Sequence, residues 1–535
     1  MKPLWSDEHM LAIGSALPAA PQSSAAAQHK SQGSPPAFAL SFMKALRNAA
    51  AVCFMAASVF GGAAVADPVA NPVVTGPVAP VVLPQHPSHN YPFFATDKAI
   101  NLQGYIEEEY FFEGTANRYD TPTGATATII DSGNPYKSRM VVRRPLSDSR
   151  FNGVVIVEWY NVTAGADGEA DWFATHKHQM EAGYAFVGVS AQRVGVDFLR
   201  TWSPVRYGSL DVTRGGTITN DALSYDIFSQ AGKAVASPVG VDPLHGLRAQ
   251  LTVIADGESQ SAGRLLIYIN SIMPRGDNVF PAVILHSSNG LIRSDNTAKV
   301  FRLQSEYDTT GTLQNIIQPD TNNVRVWEVA GTAHYDYDMQ ESRQTLQVRD
   351  VGTTGAGLGI CTMATMFTRT PMKYVLNRVL DLTTRWVQQG TPPPIAPRMQ
   401  VASYTPSTFG RPLTLARDQH GIAQGGIRLP DAAVPTALNH GENSVLVDTG
   451  LSCGLYGHWI PFSVAKLNEL YPTHLSYVNA VIANTRANIR SGFINRSDGR
   501  QLVTEAVNSN IGADNMEGTG GIDFDTDPDF AGPDF

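Results

Sequence analysis

The sequence predicts an α/β fold: a mostly parallel central sheet flanked by helices, with a large C-terminal extension packed on it. Short apolar runs bounded by turn residues alternate with helical patterns, as strands and crossover helices do. One run, Leu251-Thr252-Val253-Ile254, passes through Ala255-Asp256-Gly257-Glu258-Ser259-Gln260-Ser261-Ala262-Gly263 into the helical pattern Arg264–Ile269. Strand, tight turn and helix form the setting in which a serine is lifted above a sheet. A carboxylate and a histidine then follow later strands in chain order.

The 535 residues carry 43% hydrophobic side chains, enough for a sizeable core, and a net charge of −9 with pI about 5.8. No basic footprint for nucleic acid is visible. Residues 1–66 read as a signal region. Met43-Lys44-Ala45-Leu46-Arg47 is a basic start, Ala49–Ala66 an apolar run, and Ala64-Val65-Ala66 a cleavage site before Asp67. A signal peptide over 43–66 begins at Met43; an uncleaved anchor is the alternative, at barely spanning length. Removal of residues 1–66 takes away four basic and two acidic side chains, leaving a mature charge of −11. No membrane span is expected to remain after cleavage, and the mature protein is expected in the periplasm or secreted.

Of the three cysteines, Cys53 leaves with the signal. Cys361 and Cys453 remain as an even pair in an oxidising compartment and are expected to form a disulfide; two buried free thiols are the alternative. No CxxC pair suggests a cysteine zinc site.

Residues 67–94 are rich in Pro and Val and read as a linker. The globular domain is expected over 95–510, with its core at about 135–390 and a C-terminal part at about 400–510. Arg139–Pro145, Gly153–Trp159 and Gly183–Ser190 read as strands, with a helix over Trp172–Ala182 and another near 221–231. After the serine turn, Pro281–His286, Lys299–Gln304 and Val324–Val329 complete the sheet. Pro371–Gln389 is helical and stops at Gly390 and Pro392-Pro393-Pro394. Residues 461–505 are helical again. The tail, 511–535, is expected to be a disordered acidic segment. Its Asp523, Asp525, Asp527 and Asp529 lack the glycine and terminal glutamate of a calcium loop.

The candidate chemistry gathers at strand ends. Ser259 has small residues two before and two after it, Gly257 and Ser261, as a sharp turn requires. Its hydroxyl becomes a nucleophile only when a base takes the proton. His334, after the strand Val324–Val329 and a Gly-containing loop, is that base, since imidazole titrates near neutrality. A carboxylate must orient the ring. Ser305-Glu306-Tyr307-Asp308 offers two, Asp308 and, as the alternative, Glu306. The oxyanion needs two N–H donors: one from Gln260, the other from Tyr160 or Asn161 after the Val154–Glu158 strand. Other histidines read as structural or, for His286, as pocket lining. His176-Lys177-His178 has HxH spacing but no nearby carboxylate motif, so no metal and no cofactor is expected.

These residues resemble a known family, exported α/β-hydrolase domain proteins with a Gly-Glu-Ser-Gln-Ser-Ala nucleophile elbow, here Gly257–Ala262. Further matching stretches are Val157–Val162, Gly188–Val196, Trp327–His334, Gly425–Pro430, Gly454–Gly457, Pro461–Ser463 and Leu470–Pro472. The resemblance spans about residues 95–510, departs from the family pattern at Tyr160, where Leu is expected, and implies one integrated hydrolase domain. The expected function is an exported serine esterase, cleaving a carboxylic ester of a small molecule or polymer through a Ser-His-acid triad and an acyl-enzyme. Acyl transfer on the same triad and a non-catalytic binding protein are the alternatives.

Overall fold

The computed structural model describes residues 69–120, 125–247, 251–276, 279–353, 361–444, 453–512 and 524–534. The signal region, with Cys53, lies outside them, as does Asp523.

A ten-stranded sheet organises the chain. Its strands are β1 (Val73–Thr75), β2 (Tyr105–Tyr119), β3 (Ile129–Pro145), β4 (Val154–Trp159), β5 (Ala185–Val189), β6 (Val239–Gly240), β7 (Thr252–Glu258), β8 (Ala282–His286), β9 (Lys299–Ser305) and β10 (Val324–Val329). They lie in the order β10-β9-β8-β7-β4-β5-β3-β2-β1-β6. The run from β10 to β5 is parallel, while β5, β3, β2 and β1 pair antiparallel. Burial on both faces explains why β4, β7 and β8 read as continuous apolar runs rather than alternating ones. Alternation survives in which core each residue joins. Val155, Val157, Val253, Val283 and Leu285 enter one core; Val154, Ile156, Ile254, Ala282 and Ile284 enter the other.

The antiparallel half departs from expectation. β2 was not foreseen, because Glu107-Glu108-Glu109 reads as a solvated run. Here all three glutamates are paired to arginines: Glu107 with Arg143 directly across the ladder at 2.7 Å, Glu108 with Arg144 at 2.8 Å, and Glu109 with Arg139 at 2.8 Å and with Arg206. Arg139 and Arg143 are fully buried and also reach Asp167 and Glu169, in the loop after β4.

Residues 69–94 do not form a free linker. β1 joins the sheet edge, and Tyr91, Phe93 and Phe94 are buried among the rings of Phe198, Trp202 and Phe173. The tail also departs from expectation over 524–534. Phe530 is buried against Phe524 and the helix His474–Arg490, where Arg486 pairs with Asp527 and Arg490 with Asp529. The anionic side chains are neutralised by two arginines of one helix face, which the tail's own composition cannot reveal.

The C-terminal part packs on the half that carries the parallel strands. Ile427, Leu429, Ile494 and Leu502 share a core with Trp327, Val329 and the helix Met372–Gln389. Cys361 and Cys453 form a disulfide. No helix of the described residues is long and apolar enough to cross a membrane.

Candidate active site

β7 ends at Glu258, and the helix Gln260–Ile267 starts at once, leaving Ser259 as the whole turn. Its backbone sits at φ 58° and ψ −116°, a conformation that a non-glycine residue adopts only under constraint. Two hydrogen bonds hold it there: Ser259 N–H donates to His286 O at 2.9 Å, and Ser259 O accepts from Gly263 N–H at 2.9 Å. Gly257 must be small because a Cβ there would meet Leu265 Cδ1 and Ser261 Oγ, both at 3.1 Å.

Two further strand ends deliver the partners. His334, on the loop after β10, brings Nε2 to 2.7 Å from Ser259 Oγ. Its Nδ1 lies 2.7 Å from Asp308 Oδ1, on the short helix Glu306–Thr309 that caps β9. Asp308 also accepts from Ser305 Oγ at 2.5 Å. Burial works against ionisation of Asp308, but the His334 ring and the Ser305 hydroxyl override it and hold the carboxyl below the usual carboxylate range. For His334, burial opposes the charged form; the carboxylates of Asp308 and Glu258 prevail and carry it up to about 9. Tyr307 meets the imidazole edge-on at 5.8 Å between ring centres, and Arg411 stacks on the Tyr307 ring at 3.7 Å.

Glu306 stands apart from the imidazole. Its carboxylate accepts from Gly331 N–H at 3.0 Å and pairs with Arg417 at 2.7 Å. Glu306 and Asp308 are two apart on a single helical turn and so point different ways. Asp308 alone of the two reaches His334.

The expected second oxyanion donors are corrected by the backbone. Tyr160 N–H donates to Val189 O at 3.2 Å, extending the β4–β5 ladder, and Asn161 N–H donates to Gly168 O at 2.9 Å within its own loop. The Tyr160 side chain turns away from the site, its hydroxyl donating to Glu169 at 3.2 Å. Asn161 contributes instead through its side chain, whose Nδ2 donates to Glu258 O at 3.0 Å and Glu258 Oε2 at 3.1 Å. The next residue, Val162, aims its N–H at Gln260 Oε1 across 3.5 Å. Gln260 begins its helix, where a backbone N–H has no intrahelical acceptor.

Sequence reasoning missed Glu258, whose Oε1 lies 3.1 Å from His334 Nε2. The signal was its position next to Ser259, with period two carrying it to the same face as Asp256. Beneath it His286 Nδ1 lies 2.5 Å from Asp171 Oδ1, buried and not lining an open pocket. The HxH pair is split: His178 bonds Asp381 at 2.8 Å, and His176 bonds Phe173 O at 3.2 Å. Among the described residues no cluster of His, Cys, Asp and Glu is arranged to hold a metal.

The disulfide borders the site. It ties Cys453, at the start of the turn Cys453–Tyr456, to the segment carrying Phe367. Tyr456 packs on Phe367 and Tyr335, and Leu455 O accepts from Tyr335 N–H at 2.9 Å, next to His334.

Solved structures with similar regions include a lidless α/β serine hydrolase from Xanthomonas campestris, 14% identical, covering 40% of this chain and 88% of that one at a TM-score of 0.25. The rice cell wall degrading esterase LipA from Xanthomonas oryzae is 15% identical, with 34% and 43% covered at 0.19. Est1E from Butyrivibrio proteoclasticus is 11% identical, with 44% and 100% covered at 0.24. A search of curated proteins finds no match. None of these structural likenesses reaches 25% identity or a TM-score of 0.5, so the family assignment rests on a family model. That model, described as alpha/beta hydrolase domain, matches residues 74–504, which take in the whole parallel run of the sheet and most of the C-terminal part. The chain belongs to the alpha/beta hydrolase domain family.

Proposed function

We propose that the protein is an exported serine hydrolase that cleaves a carboxylic ester through Ser259, His334 and Asp308. One observation carries the reading: an unbroken chain of two 2.7 Å contacts from Ser259 Oγ through the imidazole to the Asp308 carboxylate, on a strained elbow.

Each part has a chemical task. Neutral His334 accepts the Ser259 proton at Nε2 as the oxygen attacks the ester carbonyl. Asp308 fixes the tautomer and stabilises the imidazolium. The tetrahedral oxyanion forms beside the Gln260 N–H at the helix start. Val162 N–H is the second donor, because its long contact to the Gln260 amide oxygen is readily given up to a better acceptor. His334 then protonates the departing alcohol, and the acyl-enzyme is released by water activated on the same nitrogen.

Export is supported by the disulfide, which persists in oxidising compartments, and by the signal pattern over 43–66. The test is a panel of p-nitrophenyl esters and matched anilides with the wild type and Ser259→Ala. Ester turnover that vanishes in the variant, with its melting temperature kept, is the expected result. Turnover surviving in Ser259→Ala overturns the mechanism, and products favouring an added alcohol over water would mark a transferase.

A further inference from the structure

We propose that Glu258 is a second carboxylate of the site, one that shares the Nε2 proton of His334 and so sets the pH range in which the imidazole is a free base. The inference rests on the Ser259–His334–Asp308 reading. It adds a group to the nitrogen that reacts, whereas Asp308 acts on the other one.

The geometry is specific. Glu258 Oε1 stands 3.1 Å from Nε2, the atom 2.7 Å from Ser259 Oγ. The other oxygen, Oε2, accepts from Asn161 Nδ2, which also bonds the Glu258 backbone carbonyl, so the carboxylate is held in place from the loop after β4. The residue is 5% exposed. Charged and titratable groups face it from four further elements: His334 beyond β10, His286 at the end of β8, Asp308 beyond β9 and Asp171 on the helix Ala170–Glu181. The two imidazoles are its cationic neighbours. His334 in turn faces Asp308, Glu258 and Arg411.

Burial is the main reason Glu258 is carried up to about 7, against the pull of His334 and His286, while His334 itself is carried up to about 9. Two groups so close in basicity and in contact titrate as a pair. Between those values the pair holds one proton. That proton rests on Nε2, held between Oε1 of Glu258 and the Ser259 hydroxyl, and the imidazole becomes a free base only when the proton leaves. By stabilising the protonated ring, Glu258 raises the pH at which Nε2 can accept from the Ser259 hydroxyl.

The rival is a purely structural acceptor for Asn161. Glu258→Gln keeps an oxygen for Asn161 and removes the charge and the titration. Two readouts are taken on the full mature chain: the pH profile of kcat/KM with p-nitrophenyl acetate, and the His334 titration by ¹⁵N NMR in Ser259→Ala, with and without Glu258→Gln. In Glu258→Gln, the His334 midpoint and the ascending limb are expected to move together to lower pH by at least about one unit, a tenfold change in the proton equilibrium. Glu258→Asp, which retracts the carboxylate but keeps its charge, is expected to give a smaller shift of the same sign. An unmoved midpoint, or a rate lowered equally at every pH, overturns the proposal. The NMR titration reads Glu258 even if no ester is turned over, so failure here is distinguishable from failure of the hydrolase reading.

Discussion

Ser259 carries the strain of the elbow, and its replacements separate strain from chemistry. Alanine inherits the positive φ, whereas glycine adopts it freely. Ser259→Gly is therefore expected to be more stable than Ser259→Ala by about 1 kcal/mol in denaturant unfolding, with both inactive. The two carboxylates of the Ser305–Asp308 stretch separate in the same manner. Asp308→Asn is expected to lower kcat by about 10³–10⁴, the scale for a triad acid that loses its charge. Glu306→Gln, which weakens the pairing with Arg417 but touches no reacting atom, is expected to cost stability and leave kcat within a few fold. Rates and unfolding curves of both variants check this. The pH profile follows from His334. A base carried up to about 9 is mostly protonated at neutral pH, so kcat/KM is expected to rise through the alkaline range with its midpoint near that value. A profile already flat at pH 7 would contradict it. The placement of Ser259 in a strand-to-helix turn and of His334 just beyond a later strand was legible, because turn residues and apolar runs are read from short stretches. The turn pattern favoured Asp308 over Glu306, and what it could not show is Arg417, an arginine over a hundred positions further along that claims Glu306.

The elements that hold the site come together around one glycine. A Cβ on Gly441 would meet Thr332 O, Glu306 Cβ at 2.6 Å and Tyr307 N at 3.0 Å, on the loops that carry the imidazole and the acid. Gly441→Ala must push those loops apart, and kcat is expected to fall at least tenfold even where the melting temperature drops little. The disulfide acts at the same scale. It closes a sequence separation of 92, for which loop entropy gives about 4–5 kcal/mol. Reduction or Cys361→Ser with Cys453→Ser is expected to lower the unfolding midpoint and, through Tyr456 and Leu455 beside Tyr335, to weaken activity as well. Strands β4 and β8 were readable because each is mainly an apolar run buried on both faces, and β9 and β10 because Val300, Phe301, Leu303, Val324, Val326, Trp327 and Val329 recur among buried polar residues. β2 was not, since its glutamates look solvated until the arginines of β3 and Arg206 are placed against them. Tyr160 and Asn161 do not offer free N–H groups, for a related reason. Ladder and loop hydrogen bonds consume the N–H groups of Tyr160 and Asn161, and only folding shows where that pairing stops.

Residues 66–535 form a compact unit in which the C-terminal part completes the core under the sheet. A fragment ending near residue 395 would leave Trp327, Val329 and one face of the helix Met372–Gln389 without Ile427, Leu429, Ile494 and Leu502. It is expected to aggregate or to unfold without a cooperative transition, as calorimetry would show, and a cooperative transition in that fragment would mark an independent domain. In the proposed mechanism, distant stretches serve one nucleophile across the whole molecule: β7 lifts Ser259, β9 and β10 supply its partners, and the C-terminal part packs against the loops that carry them. The most direct test of that claim is mapping a fluorophosphonate adduct by peptide mass spectrometry. A single adduct on Ser259, lost when His334 is replaced by Ala, is the predicted result. Ester turnover with no adduct on Ser259, or with the adduct on another serine, would contradict it.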